Sequence, residues 1–247
     1  MTSDTASPPA TAFRAAAGLN LLTWPALDAS GADAAVTARS GGVSAGPYAT
    51  LNLSLSVGDD PGCVLENRRR LAAAFGAAPG DFVFARQVHG AGVRVVGEAD
   101  RGSGALRLDD AIGSAGGVAS AGQRAGADAL VTASPGVVLA ILTAACVPIV
   151  LYDPVAGDLA CVHAGWRGTV AGVAAAAVAA MRGLGTRPSD VLAGIGPILE
   201  AEARIVLEHG FDLEPPVAPA GLRFLRSKRY GETVLSFYET LPEGSAA

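Results

Sequence analysis

Three side chains in this sequence have the donor types and neighbours of an open metal site: His89, Cys146 and His163. Two imidazoles and a thiolate make a His₂Cys ligand set. With water in the fourth position this is a catalytic type of zinc site. Zinc held there lowers the pKa of bound water or polarises a substrate oxygen. The chain has only three histidines. His89 lies in QVHGAG and His163 in VHAGWRG, where glycine and alanine neighbours let backbone and ligand approach closely. Taken singly, each histidine reads as a structural residue. Taken with Cys146, they read as a cluster. The apolar runs Val147–Tyr152 and Leu159–His163 flank the turn DPVAGD at 153–158. A hairpin closed there pairs 152 with 159 and 148 with 163, which brings Cys146 and His163 to its open end. The same residues admit a metal-free reading, a hydrolase with Cys146 as nucleophile and His163 as base.

After His163 the chain runs Ala164-Gly165-Trp166-Arg167-Gly168-Thr169 into a helical pattern. Backbone N–H groups at a helix N-terminus bind anions, and arginine adds a bidentate donor. Arg167 and Gly168 are therefore candidates for holding a phosphate within reach of the metal. The alternative for Arg167 is a solvated cap residue. Ser44 and Asn52 are further candidate binding residues, with Gly41, Gly42, Asn67 and Arg68 behind them. Cys161 reads as a small buried residue or a spare thiol beside the site, and Cys63 as structural. His209, at the end of the helix-like stretch EAEARIVLEHG, reads as a favourable C-terminal charge.

The elements that must position these residues follow from periodicity. Residues 1–18 read as a disordered or loosely attached start. Short apolar runs from Leu19 to Arg39 suit strands. The segment 40–60 is rich in Gly and Ser and reads as loop, with a brief strand at Leu51, Leu53 and Leu55. Residues 61–76 read as a helix with Pro61 in the first turn, Asp59 or Asp60 as cap, and Val64, Leu71 and Phe75 in register. Phe82–Phe84, Val93–Val96, Ala129–Thr132 and Val137–Leu142 read as strands. Residues 101–126 read as a long loop or flap. Residues 169–183 give a helix whose buried face is Val170, Val173, Ala177 and Met181. No internal repeat or linker is visible, so one domain over 19–247 is expected.

Composition narrows the function classes. Half of the 247 residues are apolar, 17% are charged and the net charge is −5. Only Arg68–Arg70 and the Arg226–Arg229 cluster concentrate positive charge, and such short runs suit a solvated helix face, which argues against a nucleic-acid partner. The start MTSDTASPPATA lacks the basic and apolar parts of a secretory leader, and the Ala-rich stretch at 171–181 is too short to span a bilayer. Three sparse cysteines suit a reducing, cytoplasmic setting rather than a disulfide framework. Oligomeric state has no signature in the sequence.

Several stretches together resemble a known family: TARSGGVSAGPYATLNLSLSVGDD (37–60), ENRRRL (66–71), RQVHGA (86–91), ADALVT (127–132), AACVPIVLYDP (144–154), ACVHAGWRGTVAGV (160–173) and GIGP (194–197). They are similar to the laccase-domain proteins, formerly described as multicopper polyphenol oxidases, whose members are zinc-dependent purine nucleoside phosphorylases. The resemblance implies that His89, Cys146 and His163 are the zinc ligands. It implies phosphorolysis of adenosine, inosine, guanosine or methylthioadenosine, with adenosine deamination in some members, so nucleoside and phosphate are the implied partners. It also implies a single α+β domain of mixed β-sheets layered against helices. Three histidines are too few for a multicopper cluster, so oxidase chemistry of that kind is excluded. The chain departs from the family pattern at Ala145, where an aspartate usually precedes the ligand cysteine. It departs again at Ile198-Leu199, where a cysteine commonly follows GIGP, and in its tail. These departures leave open a specialised paralogue that hydrolyses, deaminates or cyclises another small metabolite, and also a non-catalytic binding protein.

Overall fold

Alternating and continuous apolar runs become strands, and one long Ala-rich segment becomes the helix that covers them. The computed structural model describes residues 11–113, 126–197, 204–210, 222–230 and 233–240. Strands β1 (Ala12–Ala16), β2 (Leu19–Thr23) and β3 (Ala35–Thr37) form an antiparallel sheet. β1 lies inside the stretch expected to be loosely attached. Its backbone pairs in register with β2 from Ala12↔Thr23 to Ala16↔Leu19, which anchors that part of the start. A short helix α1 (Pro25–Ala29) follows, and then α2 (Pro61–Ala74).

The segment between them is not the expected strand at Leu51, Leu53 and Leu55 but a series of turns. Its carbonyls are used differently. Those of Thr50 and Asn52 accept from the Asn67 side chain, and that of Leu53 accepts from Arg68 Nε. Helix α2 starts as its sequence suggests, with Pro61 in the first turn and the Asp60 carboxylate accepting from the Cys63 N–H. Its basic run is only partly on a solvated face. Arg69 and Arg70 lie toward solvent and share Glu66. Arg68 is buried at 5% exposure and donates to the carbonyls of Leu53, Gly104 and Ala105, with its guanidinium over the Phe84 ring. Burial pushes that guanidinium down to about 10.

The site is built on a second, five-stranded sheet. Its strands are β5 (Val93–Val95), β6 (Ala129–Thr132), β8 (Val147–Tyr152), β9 (Leu159–Ala164) and β10 (Leu192–Ile195), in the order β10-β8-β9-β6-β5. β5 and β6 are parallel and the other pairs antiparallel. The hairpin of β8 and β9 has the expected register, Tyr152 opposite Leu159 and Pro148 opposite His163. A separate parallel pair, β4 (Phe82–Phe84) and β7 (Val138–Ala140), packs its Phe82 and Phe84 with Leu19, Leu21 and Leu71.

The helical pattern at 169–183 is two helices. α3 (Trp166–Val170) ends before Gly172, whose φ of +79° stops the helix, and α4 (Val173–Leu184) begins there. Val173, Ala177 and Met181 are fully buried on one stripe against Ala129, Val131, Leu151, Ala160 and Val162 of the sheet. Val170, expected on that stripe, is 84% exposed because the break turns α3 away.

The α+β class with mixed sheets is the observed one. By compactness the chain divides into two units, Met1–Gly196 and Pro197–Ala247. In the second unit β11 (Arg204–Gly210), β12 (Leu222–Tyr230) and β13 (Thr233–Thr240) form an antiparallel sheet with β13 in the middle. His209 therefore stands in a strand, not at a helix end, because the run Ile205-Val206-Leu207 finds a ladder partner in β13. Residues 114–125 of the expected flap lie outside the described residues. Its described start holds a 3₁₀ turn at Leu108–Asp110 and a bridge from Ala85 to Ile112. No described helix is long and apolar enough to cross a membrane.

Arg68→Met keeps the length of the stem but removes donors from three carbonyls. It is expected to lower stability by about 3 kcal/mol in urea unfolding, because buried acceptors lose charge-assisted bonds. The Arg69→Met change on the exposed neighbour is expected to stay within about 0.5 kcal/mol of the parent.

Candidate metal centre

The register of the five-stranded sheet gathers strand ends at one edge. β5, β6 and β8 begin there and β9 and β10 end there. His163 is the penultimate residue of β9, and Cys146 sits in the bend just before β8. His89 lies in the turn that precedes β5. The ligand atoms of His89, Cys146 and His163 all lie within 4.8 Å of one another, so the three side chains can hold one metal ion. The imidazoles of His89 and His163 meet edge to face with centroids 4.8 Å apart. His163 is buried, Cys146 is half-buried and His89 is exposed, so the cluster is closed on one side and open to solvent on the other.

Two further side chains hold this arrangement, and neither was among the candidates read from the sequence. Asp128 lies at the start of β6 and has no exposed surface. Its Oδ1 accepts from the His89 N–H at 2.9 Å and lies 2.8 Å from His163 Nδ1. Its Oδ2 accepts from the Gly90 N–H at 2.7 Å and the Val88 N–H at 3.3 Å. Burial works against its charge, but the bonds from His163 and from the N–H groups of Gly90, His89 and Val88 outweigh it and hold the carboxyl below its ordinary value. Gln87 does the same work for the other ligand. Its amide donates to the Leu142 carbonyl and accepts from the Leu142 N–H, both at 2.7 Å. The turn that carries His89 is thereby tied to the segment that leads into Cys146. The sequence signal for Asp128 was a single acid in the apolar run ADALVT; for Gln87 it was the residue's place in RQVHG.

The space at the cluster is kept by a missing side chain. A Cβ on Gly165 would stand 3.0 Å from Cys146 Sγ, 3.1 Å from His89 Cδ2 and 3.8 Å from His163 Cε1. Gly165 has φ −70° and ψ 162°, a conformation open to any residue, so the demand for glycine is the cavity and not the backbone. A cradle of soft and imidazole donors that a methyl group would crowd fits a metal ion.

The other candidates fall differently. Arg167 is exposed, its guanidinium stands 5.0 Å from the Trp166 ring centroid, and it has no carboxylate partner among the described residues. α3 has only five residues, so the anion site expected from a long helix is reduced to Arg167 itself. Gly168 is a packing residue: a Cβ there would stand 2.7 Å from the Gly90 carbonyl oxygen. Ser44 and Asn52 both donate to Asp59, at 2.6 and 2.9 Å, and those bonds hold the Asp59 carboxyl below its ordinary value. Asn67 is fully buried and links Val43, Ser44, Thr50 and Asn52. Through these bonds Ser44 and Asn52 hold the 40–60 loop together. Gly41 and Gly42 line a cavity of about 500 Å³ with Arg69 and Arg70, apart from the His–Cys–His cluster. Burial pushes the Cys161 thiol up to about 12, which makes it a poor ligand and nucleophile.

Gly165→Val tests the cradle. The variant is expected to keep the circular dichroism spectrum of the parent. It is expected to fall from about one bound metal ion per chain to well below half, as read by elemental analysis.

The family described as multi-copper polyphenol oxidoreductase laccase matches residues 33–213. A protein of Deinococcus radiodurans named purine nucleoside phosphorylase is 43% identical over 220 residues, 89% of this chain and 75% of that one. One of the same name from Streptomyces coelicolor is 46% identical over 167 residues, 68% of this chain and 61% of that one. This chain thus spans about three fifths of the Streptomyces relative. The crystal structure of YlmD from Geobacillus stearothermophilus superposes with a TM-score of 0.69 at 34% identity, covering 90% of this chain and 78% of that one. With the family matched over most of its length and its histidine and cysteine donors gathered at one sheet edge, this chain belongs to the laccase-domain family.

Proposed function

We propose that this chain is a zinc-dependent purine nucleoside phosphorylase whose metal ligands are His89, Cys146 and His163. The observation that carries the reading is the convergence of three donors within 4.8 Å at a sheet edge, closed at His163 and open at His89. The names of the Deinococcus and Streptomyces relatives supply the reaction class. Zinc in such a site supplies Lewis acidity toward an oxygen ligand.

The chain's own residues do the rest. His163 presents its Nε2 to the site because Nδ1 faces the Asp128 carboxylate. Arg167, exposed and two residues past Gly165, is the cation for phosphate in this reading. A phosphate oxygen attacks C1′ of the ribose, the bond from C1′ to the base nitrogen breaks, and its electron pair leaves with the base. The products are ribose 1-phosphate and, after a proton is taken up, the free base. That proton is where the alanine at 145, in place of the aspartate that the resemblance implies, bears on the reaction. Ala145 is exposed in the bend beside Cys146 and carries no acid. Water must supply the proton that a carboxyl group would otherwise deliver, and a positioned acid contributes about 10²–10⁴-fold.

Zinc-loaded protein is expected to release free base from adenosine, inosine or methylthioadenosine only when phosphate is present, measured by chromatography. Cys146→Ala is expected to abolish release. Ala145→Asp is expected to raise turnover at least about tenfold. Absence of base release from every one of these nucleosides, in parent and Ala145→Asp alike, contradicts the reading.

A further inference from the structure

We infer that Asp128 is the positioning residue of the metal centre, one carboxylate that fixes both histidine ligands before any ion arrives. The inference rests on the reading of His89, Cys146 and His163 as ligands. A carboxylate with no exposed surface is costly unless its lone pairs are filled. Among the described residues they are filled by the two ligand-bearing segments alone. Oδ1 is shared between the His89 N–H and His163 Nδ1, and Oδ2 takes the Gly90 and Val88 N–H groups. The main chain of Asp128 repeats the pattern. Its carbonyl accepts from the His163 N–H at 2.7 Å, and its N–H donates to the Gly92 carbonyl at 2.8 Å. Every polar atom of Asp128 is thus committed to the chain around His89 or to His163.

Three consequences follow. First, a carboxylate only accepts, so the His163 nitrogen facing it carries the hydrogen, and the lone pair is left on Nε2, which faces the cluster. Second, His89 has φ +59°, an uncommon conformation for a residue with a side chain. Three successive N–H groups gathered on one anion hold that conformation, as backbone nests do. Third, the His163 ring and the His89 backbone cannot shift without breaking a bond to the same carboxylate.

A merely structural aspartate would support the fold and leave the ligands' affinity alone, and the test separates the two roles. Asp128→Asn is compared with the parent by zinc competition against a chromophoric chelator, counting only folded chains. The expected result is a zinc affinity 10- to 100-fold weaker, in the range for lost outer hydrogen bonds to metal-binding histidines. Equal affinity in the two proteins overturns the inference and leaves the metal reading standing. A parent that binds no zinc overturns both. Nitrogen-15 NMR of the metal-free parent near pH 8 gives the answer without a variant, since only three histidines contribute. His163 is expected as the Nδ1–H tautomer, and an Nε2–H tautomer contradicts the role assigned to Asp128.

Discussion

A charge sealed from water has to find its hydrogen-bond donors inside the protein, and in this chain that requirement organises the site. The Asp128 carboxylate sits just before the first residue of core strand β6, with no solvent contact. Its donors come from two segments far apart in sequence, 88–90 and His163. Both histidines are fixed by satisfying one anion. Removing the anion would orphan four donors at once, including the turn that keeps His89 in its left-handed conformation.

The sheet makes that meeting possible. The antiparallel ladder of β6 and β9 sets Ala129 opposite Val162, so Asp128 comes level with His163 one step on. The parallel ladder of β5 and β6 sets Val93 opposite Ala129, so the turn carrying His89 ends beside Asp128. The β8–β9 hairpin places Cys146 at the same edge. Helix α4 locks the far side of the sheet with Val173, Ala177 and Met181. Short, register-fixed strands carry three of these residues or their immediate neighbours. Gln87 braces the remaining join, between the His89 turn and the chain entering Cys146.

Much of this was legible where a local rule applies. The DPVAGD turn set the hairpin register, and Asp60 with Pro61 marked the start of α2. The gathering of Cys146 with His163 followed from that register alone. What was not legible depended on partners distant in sequence. Ser44 and Asn52 looked like candidate binding residues, but both donate to Asp59, and only folding shows it. Arg68 looked like surface charge because three carbonyls that accept from it lie 15 to 37 residues away. Asp128 was passed over because an acid in an apolar run gives no hint of which donors will surround it. The helix at 169–183 was read through Gly172 because alanine-rich periodicity continues on both sides of a single glycine. The segment around His209 was read as helix because its charged residues suit either state, and the strand partner lies more than twenty residues on.

The proposed metal centre is a single ion held by two imidazoles and one thiolate. X-ray absorption at the zinc edge of the loaded protein addresses it directly. The account predicts one sulfur at about 2.3 Å and two imidazole nitrogens at about 2.0 Å, with a light oxygen or nitrogen atom completing four-coordination. A spectrum with no sulfur shell, or with more than one sulfur per zinc, would contradict it.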